Sequence, residues 1–378
     1  MRVAQASLRN TGRLAEDFAP LMAIEPNLVL VFGSVDLLRG VAPTLALLFP
    51  QAPRLGCSTA GEISAAGVQD GTCVVTAVSF EHTRLVEASS HLTGMGDSYA
   101  AGHRLARQLP QDGLRAVLLF GQGLPINGSA LLSGVTEVLG VRVPITGGLA
   151  GDGGAFRQTW VLDDAGAASD TLVALGLYGD RLEFCHGSFG GWLPFGPPRK
   201  ITRSRGNVLF ELDGEPALEV YKRYLGEHAK GLPGSALLFP FAMLGKDHDE
   251  VGLIRSALAV DEQAGSLTLA GDIDPDGYLK LMHANTDALV DGAETAAQAA
   301  RQMLCGEGQG LLLLVSCVGR KLVMGGRVGE EIRAVASVFS QGASIAGFYS
   351  YGEISPYMPG GACRLHNQTM TVTYLGER

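Results

Sequence analysis

Short apolar runs alternate along this chain with longer segments whose apolar residues recur at helical spacing. The run Leu28–Phe32 is apolar throughout and lies between Pro26 and Gly33, which predicts a fully buried strand. The segment after it predicts a helix, because its apolar residues fall on one helical face: Leu37, Leu38, Val41, Leu45 and Leu48. Similar buried-strand runs return at Ala116–Phe120 and Leu311–Ser316. The pattern therefore predicts a strand–helix unit that repeats along the chain.

Two pairs of strand-like segments lie between these units. The segments Thr72–Ser89 and Thr171–Ser188 each contain two apolar runs separated by a short polar turn, which predicts two hairpins. Together the patterns predict an α/β (α+β) fold of duplicated strand–helix–strand units, with mixed β-sheets covered by helices and two related halves. A turn at Asp213 places the predicted domain boundary there, giving domains 1–212 and 213–378.

One motif occurs twice, about 290 residues apart. The segment Gly56–Ser64 reappears as Gly347–Ser355, and a weaker third copy is Gly147–Asp152. Each copy is a turn of small residues followed by a carboxylate. Such a turn lets a ligand approach backbone N–H groups, and the carboxylate can hold a cation, an amine or a hydroxyl. If the two halves are related by pseudo-symmetry, we expect Glu62 and Glu353 to face one shared cleft.

Twelve residues are the candidates for binding a ligand, and each has a structural alternative. The glycines can simply form tight turns while the glutamates cap local backbone. Trp192 can be a wall of the site or a plug over the core, and His366 with Asn367 can fix the last strand rather than recognise a ligand. The candidates are Cys57, Ser58, Thr59, Glu62, Asp152, Trp192, Tyr349, Ser350, Tyr351, Glu353, His366 and Asn367.

Composition restricts the partners of the protein. The chain has 378 residues, 46% of them hydrophobic, and a formal net charge of −9. Neutralising phosphates requires a basic surface, so we expect no nucleic-acid partner. No apolar run approaches the roughly 20 residues that span a bilayer, and the N-terminus lacks a signal peptide, so we expect no membrane partner and a cytoplasmic location. Six cysteines without C-x-x-C spacing predict free thiols rather than a zinc site.

The sequence contains no catalytic motif that we can identify. G-x-S-x-G, G-x-x-x-x-G-K-[ST] and H-E-x-x-H are all absent, so we expect a protein that is not an enzyme. An enzyme that uses Cys57, or the pair Glu62 and Glu353, remains the alternative. His186 lies on an apolar strand beside aromatic residues, where a neutral imidazole can ligate haem iron. A structural role for His186 is the other interpretation, and other histidines compete as ligands: His82, His91, His103, His228, His248 and His283.

Several motifs, in order along the chain, resemble one known family. Gly56–Ile63, Gly191–Pro197 and Glu211–Ala217 resemble the N-terminal signature of FIST domains. Phe348–Ile354, followed by His366–Thr369, resembles the C-terminal signature. Each motif alone is weak, but their order is specific, and the resemblance covers almost the whole chain.

The resemblance implies a sensory, ligand-binding module of signal transduction. Since no output segment is visible, it implies a stand-alone sensor that regulates a separate histidine kinase or similar partner. Some stand-alone relatives are haem proteins that sense nitric oxide, which makes a nitric oxide sensor with non-covalent haem b, ligated by His186, the first alternative. Small metabolites such as amino acids are the other ligands that the resemblance suggests.

Overall fold

The fold contains eight α-helices within the residues that the structure, a computed structural model, describes. Those residues are 1–306, 309–339, 342–357 and 360–378. Helix α4 begins after Asn127, whose side chain accepts a hydrogen bond from the N–H of Ala130 (3.0 Å), so Asn127 is the cap. The helices are α1 Leu14–Met22, α2 Val35–Leu48, α3 Ser98–Ala106, α4 Gly128–Leu139, α5 Ala217–Leu225, α6 Thr286–Met303, α7 Val318–Met324 and α8 Gly329–Val338.

The strands are numbered along the chain. The first thirteen are β1 Arg2–Leu8, β2 Leu28–Gly33, β3 Arg54–Ser58, β4 Glu62–Ser64, β5 Gly67–Gln69, β6 Cys73–Ser79, β7 Arg84–His91, β8 Leu114–Gly121, β9 Ile145–Leu149, β10 Val161–Asp163, β11 Gly166–Ala168, β12 Thr171–Tyr178 and β13 Leu182–Phe189. They are followed by β14 Leu193–Pro194, β15 Arg199–Arg205, β16 Val208–Leu212, β17 Glu215–Pro216, β18 Phe241–Leu244, β19 Glu250–Arg255, β20 Ala257–Asp261, β21 Ser266–Leu269, β22 Tyr278–His283, β23 Gly310–Cys317, β24 Ala343–Ser350, β25 Gly352–Pro356, β26 Cys363–His366 and β27 Met370–Glu377.

Three six-stranded sheets share one strand order. Sheet 1 is β1-β6-β2-β3-β10-β11, sheet 2 is β7-β12-β8-β9-β25-β26, and sheet 3 is β13-β27-β23-β24-β4-β5. In each sheet the central parallel pair, β2/β3, β8/β9 or β23/β24, is connected through helix and is flanked by antiparallel strands. The predicted fold class, duplicated units that form mixed sheets covered by helices, is confirmed, and the structure contains the unit three times.

The short outer hairpin of each sheet comes from a different part of the chain. Hairpin β4–β5 follows β3 of sheet 1 but pairs with β24 of sheet 3. Hairpin β10–β11 follows β9 of sheet 2 but pairs with β3 of sheet 1. Hairpin β25–β26 follows β24 of sheet 3 but pairs with β9 of sheet 2. The three sheets are thus joined in a closed ring by exchanged hairpins.

The predicted hairpins Thr72–Ser89 and Thr171–Ser188 are wrong. Strand β6 lies in sheet 1 between β1 and β2, whereas β7 pairs with β12 in sheet 2. Strand β13 pairs with β27 in sheet 3, whereas β12 pairs with β7 and β8 in sheet 2. At both turns the chain passes from one sheet to the next, because each strand buries its apolar face in a core that the three sheets share.

Three phenylalanines lie at the centre of that shared core. Phe32 on β2, Phe120 on β8 and Phe348 on β24 are completely buried. The Phe32 ring stacks on Phe348 with centroids 4.7 Å apart, and Phe120 meets the two rings edge-on at 5.4 Å and 6.0 Å. Since one ring comes from each sheet, this cluster is where the three sheets contact one another.

A fourth sheet lies between β14 and α6 in the chain. Its strand order is β19-β18-β22-β15-β16-β21-β20, with β14 on β22 and β17 on β16. It has a core of its own, in which Tyr221 and Leu218 of α5 pack against Leu209, Phe241 and Leu279. No helix among the described residues is long and apolar enough to cross a membrane.

Shortening a ring of the central cluster is predicted to destabilise the whole fold. Phe348→Ala removes a fully buried ring that contacts two others, so we expect the free energy of unfolding to fall by about 3–5 kcal/mol. Leu47→Ala is the control, because Leu47 is 80% exposed and its loss costs at most about 0.5 kcal/mol. Urea unfolding followed by circular dichroism measures both, and equal values for the two variants would contradict this account of the core.

Candidate functional site

Glu62 is bonded entirely within the protein. Its Oε1 accepts a hydrogen bond from the hydroxyl of Thr59. Its Oε2 accepts two more, from the N–H (2.9 Å) and the hydroxyl (2.7 Å) of Thr72. Burial raises the pKa of Glu62, and these hydrogen bonds oppose the rise. Glu62 begins β4 in sheet 3 while Thr72 precedes β6 in sheet 1, so the carboxylate ties an exchanged hairpin back to its own unit.

Glu353 repeats this arrangement in the second copy of the motif. Its Oε1 accepts from the hydroxyl of Ser350 (2.6 Å), and its Oε2 accepts from the N–H and the hydroxyl of Thr369 (both 3.1 Å). The side chain is completely buried, and burial raises its pKa to about 7 against the opposing hydrogen bonds. Both glutamates therefore have the backbone-bonding role that the sequence left open as their structural alternative.

The third copy of the motif lacks an equivalent carboxylate. At equivalent positions of the three sheets, the exchanged hairpin places Glu62 opposite Phe348, Glu353 opposite Gly148, and Val161 opposite Cys57. Val161 therefore stands where the other two units have glutamate. Asp152 lies in the preceding loop and accepts hydrogen bonds from three consecutive N–H groups, those of Phe156, Arg157 and Gln158.

Cys57, Ser58 and Tyr349 are enclosed by the protein. Cys57 is completely buried in the shared core, and burial raises its thiol pKa well above the usual range. Ser58 donates to the carbonyl of Gly151 (2.6 Å). The hydroxyl of Tyr349 donates to Glu331, which is also paired with the fully buried Arg320.

Thr59, Glu62 and Asp152 do meet at one cavity, of about 340 Å³. Lys321 enters the same cavity from α7, where its ammonium group pairs with Asp70 and donates to the carbonyl of Ala60 (2.8 Å). Beside it the hydroxyl of Tyr351 donates to Asp152, and the Tyr351 ring stacks on Phe156 with centroids 4.3 Å apart. The protein's own Lys321 thus already places an amine in this cavity.

Another cavity, of about 420 Å³, lies elsewhere, and we refer to it as the Trp192 cavity. The loop after β13, strands β18, β19 and β22, and two residues of the C-terminal signature region form its walls. Trp192 is 7% exposed, and its Nε1 donates to the carbonyl of Gln368 (2.8 Å), which holds the ring in place. The walls include Phe189, Gly191, Trp192, Met243, Leu244, His248, Ile254, Lys280, Met282, Tyr357 and Thr369.

Among the described residues of these walls, Lys280 is the only lysine or arginine. It is partly buried and forms no ion pair with any described residue. Its neighbours along the wall are mainly apolar, among them Met243 and Met282. An ammonium group without a counter-charge, next to apolar surface, favours an anionic partner because the surroundings screen charge poorly.

His366 and Asn367 lie behind this cavity. The Nε2 of His366 donates to the carbonyl of Ser355 (2.9 Å), while its Nδ1 is buried without a partner. Burial lowers the His366 pKa to about 4, so the imidazole is neutral. Its ring lies 6.1 Å from that of Tyr357, which lines the cavity. The Oδ1 of Asn367 and the Oε1 of Gln368 are likewise buried and have no hydrogen-bond partner among the described residues.

The surroundings of His186 do not fit haem. His186 lies on β13 opposite Thr373 and is 4% exposed, and burial lowers its pKa to about 4. A haem requires an open cavity beside the imidazole, but His186 is absent from the walls of the Trp192 cavity. Among the described residues no group of three His, Cys, Asp or Glu side chains could hold a metal ion.

Sequence reasoning identified Trp192 but missed most of the cavity around it. It named none of Lys280, Met243 and Met282, and it named His248 only as a competing haem ligand. One signal was present, since Lys280 is a single charged residue in the apolar run of β22. Of the twelve candidate residues, Thr59, Glu62 and Asp152 share one cavity and Trp192 lines another.

Comparison with known proteins places almost the whole chain in one family. Residues 27–215 match the FIST N domain and residues 217–356 match the FIST C domain. A segment of 98 residues is 33% identical to an uncharacterized protein of Methanocaldococcus jannaschii, and the match covers 25% of this chain and 19% of that protein. Among solved structures, cyanuric acid hydrolase from A. caulinodans matches with a TM-score of 0.38 and 10% identity, covering 100% of this chain and 98% of that one.

The raised pKa of Glu353 predicts a specific dependence of stability on pH. Between the unfolded value near 4.5 and the folded value near 7, the folded state holds a proton that the unfolded state releases, so stability falls as pH rises. We expect Glu353→Gln to lose this contribution, so that its free energy of unfolding declines less than that of the wild type between pH 5 and 8. Urea unfolding at several pH values measures the difference, and parallel curves would contradict the assignment.

Proposed function

Because the chain belongs to the FIST family, whose domains bind small ligands in signalling proteins, we propose that it is a small-molecule sensor with its ligand site in the Trp192 cavity. The observation that carries this proposal is the meeting of two family motifs at one cavity. The loop around Trp192 and the segment His366–Thr369 are far apart in the chain, yet the indole of Trp192 donates to the carbonyl of Gln368 at the cavity wall.

The cavity has the size and lining of a small-molecule site. A volume of about 420 Å³ lies within the range of pockets that enclose small ligands. Such pockets combine apolar walls with a few polar groups that orient the ligand. Here Met243, Met282 and Trp192 provide apolar surface, and Lys280 provides one cation. We therefore propose a ligand with an apolar body and one anionic group, such as a carboxylate, that pairs with Lys280.

A route for signalling begins at the same wall. Trp192 packs in a small core with Leu289 of α6 and Met324 of α7, as well as with Met282 of the cavity. A ligand that changes the position of the indole therefore changes the packing of two helices. A ligand acts as a signal only through contacts that differ between two states, and the contacts of this small core are the ones that we propose to change. We propose that a separate signalling protein, such as a histidine kinase, responds to that change in helix packing.

Two other functions have less support. A haem-based nitric oxide sensor needs an axial ligand beside an open cavity, and the surroundings of His186 do not meet that need. An enzyme that uses Cys57 needs an accessible thiolate, whereas this thiol is buried with a raised pKa. The carboxylates of Glu62 and Glu353 are occupied by protein hydrogen bonds on both oxygens.

Ligand binding is predicted to depend on Lys280. In a screen of small organic anions by thermal denaturation, we expect a subset of carboxylates with apolar side chains to stabilise the wild type. Lys280→Gln removes the charge and is expected to raise the Kd of such a ligand about tenfold or more. Lys246→Gln, which changes an exposed lysine on a nearby turn, is the matched control and keeps wild-type affinity.

Trp192→Phe provides a second test at the same cavity. It keeps an aromatic wall but loses the hydrogen bond to Gln368, so ligand affinity is expected to fall while the fold persists. Isothermal titration calorimetry measures each Kd. A screen without any stabilising anion, or one whose ligands bind both variants as tightly as the wild type, would refute the proposed site.

A further inference from the structure

A second cavity, of about 330 Å³, lies on the other side of strand β19, and we refer to it as the Arg255 cavity. Gly252 and Ile254 line the Trp192 cavity, Arg255 lines the second one, and Leu253 between them lies at both. Helix α4 and strand β26 form the opposite walls, through Ser129 and Arg364 among others. The cavity thus lies where sheet 2 meets the fourth sheet.

Arg255 is a buried cation without a close counter-charge. It is 3% exposed, and its guanidinium donates only to backbone carbonyls, those of Ile254 (3.1 Å), Leu365 (3.1 Å) and Asp272 (3.2 Å). Its Nη2 makes no hydrogen bond with a described residue, and no described carboxylate forms an ion pair with it. The carboxylate of Asp272 favours the charged form only from a longer distance. Burial lowers the pKa of Arg255 to about 10, so it stays charged at neutral pH.

Ser129 adds a hydroxyl that has no partner. Its Oγ is buried and forms no hydrogen bond with a described residue. A Cβ on Gly271 would lie 2.9 Å from this Oγ and 3.0 Å from the Nε of Arg255, so the two groups are close neighbours on either side of a glycine where no side chain fits. The other hydroxyls of this wall, Ser133 and Thr136, donate their hydrogens to carbonyls of α4. Ser129 is therefore the free hydroxyl donor.

The charges of the cavity are predominantly positive. Arg364 lies at the rim and forms no hydrogen bond or ion pair with a described residue. The carboxylate at this cavity is that of Asp272, whose Oδ1 accepts a hydrogen bond from Asn127 (3.1 Å). Two guanidinium groups thus face one carboxylate, in a chain whose net charge is −9. Ser129 also lies in the first turn of α4, where the helix dipole favours negative charge.

We propose that the Arg255 cavity binds an oxyanion, a carboxylate or phosphate group of a small molecule, through Arg255, Arg364 and Ser129. The unpaired guanidinium and the unpartnered hydroxyl are the donors that such a group requires, and guanidinium matches the planar or tetrahedral arrangement of its oxygens. An oxyanion would supply the counter-charge that the protein itself does not place beside Arg255. The site is separate from the one in the Trp192 cavity and does not depend on it.

Titration of the full chain with two probes tests this site. Inorganic phosphate and succinate are each added at constant ionic strength, and binding is followed by calorimetry. We expect saturable binding of at least one probe, and the stronger binder shows whether phosphate or carboxylate is the preferred group. Arg364→Gln and Ser129→Ala should each weaken that binding about tenfold, the usual effect of losing a hydrogen bond to a charged group. Arg364→Lys, which keeps the charge but not the planar fork, should lose less.

Two controls separate this site from other effects. Arg9→Gln, at an exposed arginine far along the chain, should bind the probe as the wild type does. Melting curves without anion confirm that each variant is folded. The inference is overturned if neither probe binds, or if binding survives both Arg364→Gln and Ser129→Ala. It is also overturned if Lys280→Gln alone abolishes binding, a result that would instead favour the Trp192 cavity.

Discussion

The exchange of hairpins among three sheets is the constraint on which the rest of this structure depends. None of these three sheets is complete with strands from one continuous segment, since β4–β5, β10–β11 and β25–β26 each extend the sheet of another unit. The packed rings of Phe32, Phe120 and Phe348 hold the three sheets together. Glu62 and Glu353 tie two of the exchanged hairpins to the units they come from. These glutamates repeat because the connection repeats.

Periodicity predicted the elements of this fold better than their partners. The apolar runs at Leu28–Phe32, Ala116–Phe120 and Leu311–Ser316 are the buried strands expected of them. The supposed hairpins failed because a tight turn between two apolar runs looks the same whether the strands pair or enter neighbouring sheets. The motif repeat was visible in the sequence. Only the structure shows that Val161 pairs with Cys57, so that Val161, and not Asp152, occupies the position of the two glutamates.

The candidate sites show the same limit. Trp192 could be recognised from the sequence alone, because it is an aromatic residue in a Gly/Pro loop of a family motif. Lys280 and Met243 become relevant only because β18 and β22 bring them opposite that loop. Arg255 and Ser129 are 126 positions apart, and nothing in either segment marks them as neighbours. Isolated polar residues in irregular stretches carry no periodic signal, so the sequence could not assemble either cavity.

Strand β19 contributes to the walls of both cavities: Gly252 and Ile254 line one, Arg255 lines the other, and Leu253 lies at both. An occupant that displaces this strand on one side alters the geometry available on the other. Thermodynamic linkage then requires reciprocity, so that each occupant would change the affinity of the other by the same factor. If both proposed sites bind their ligands, the output of the protein would report the combination of two concentrations rather than either one alone.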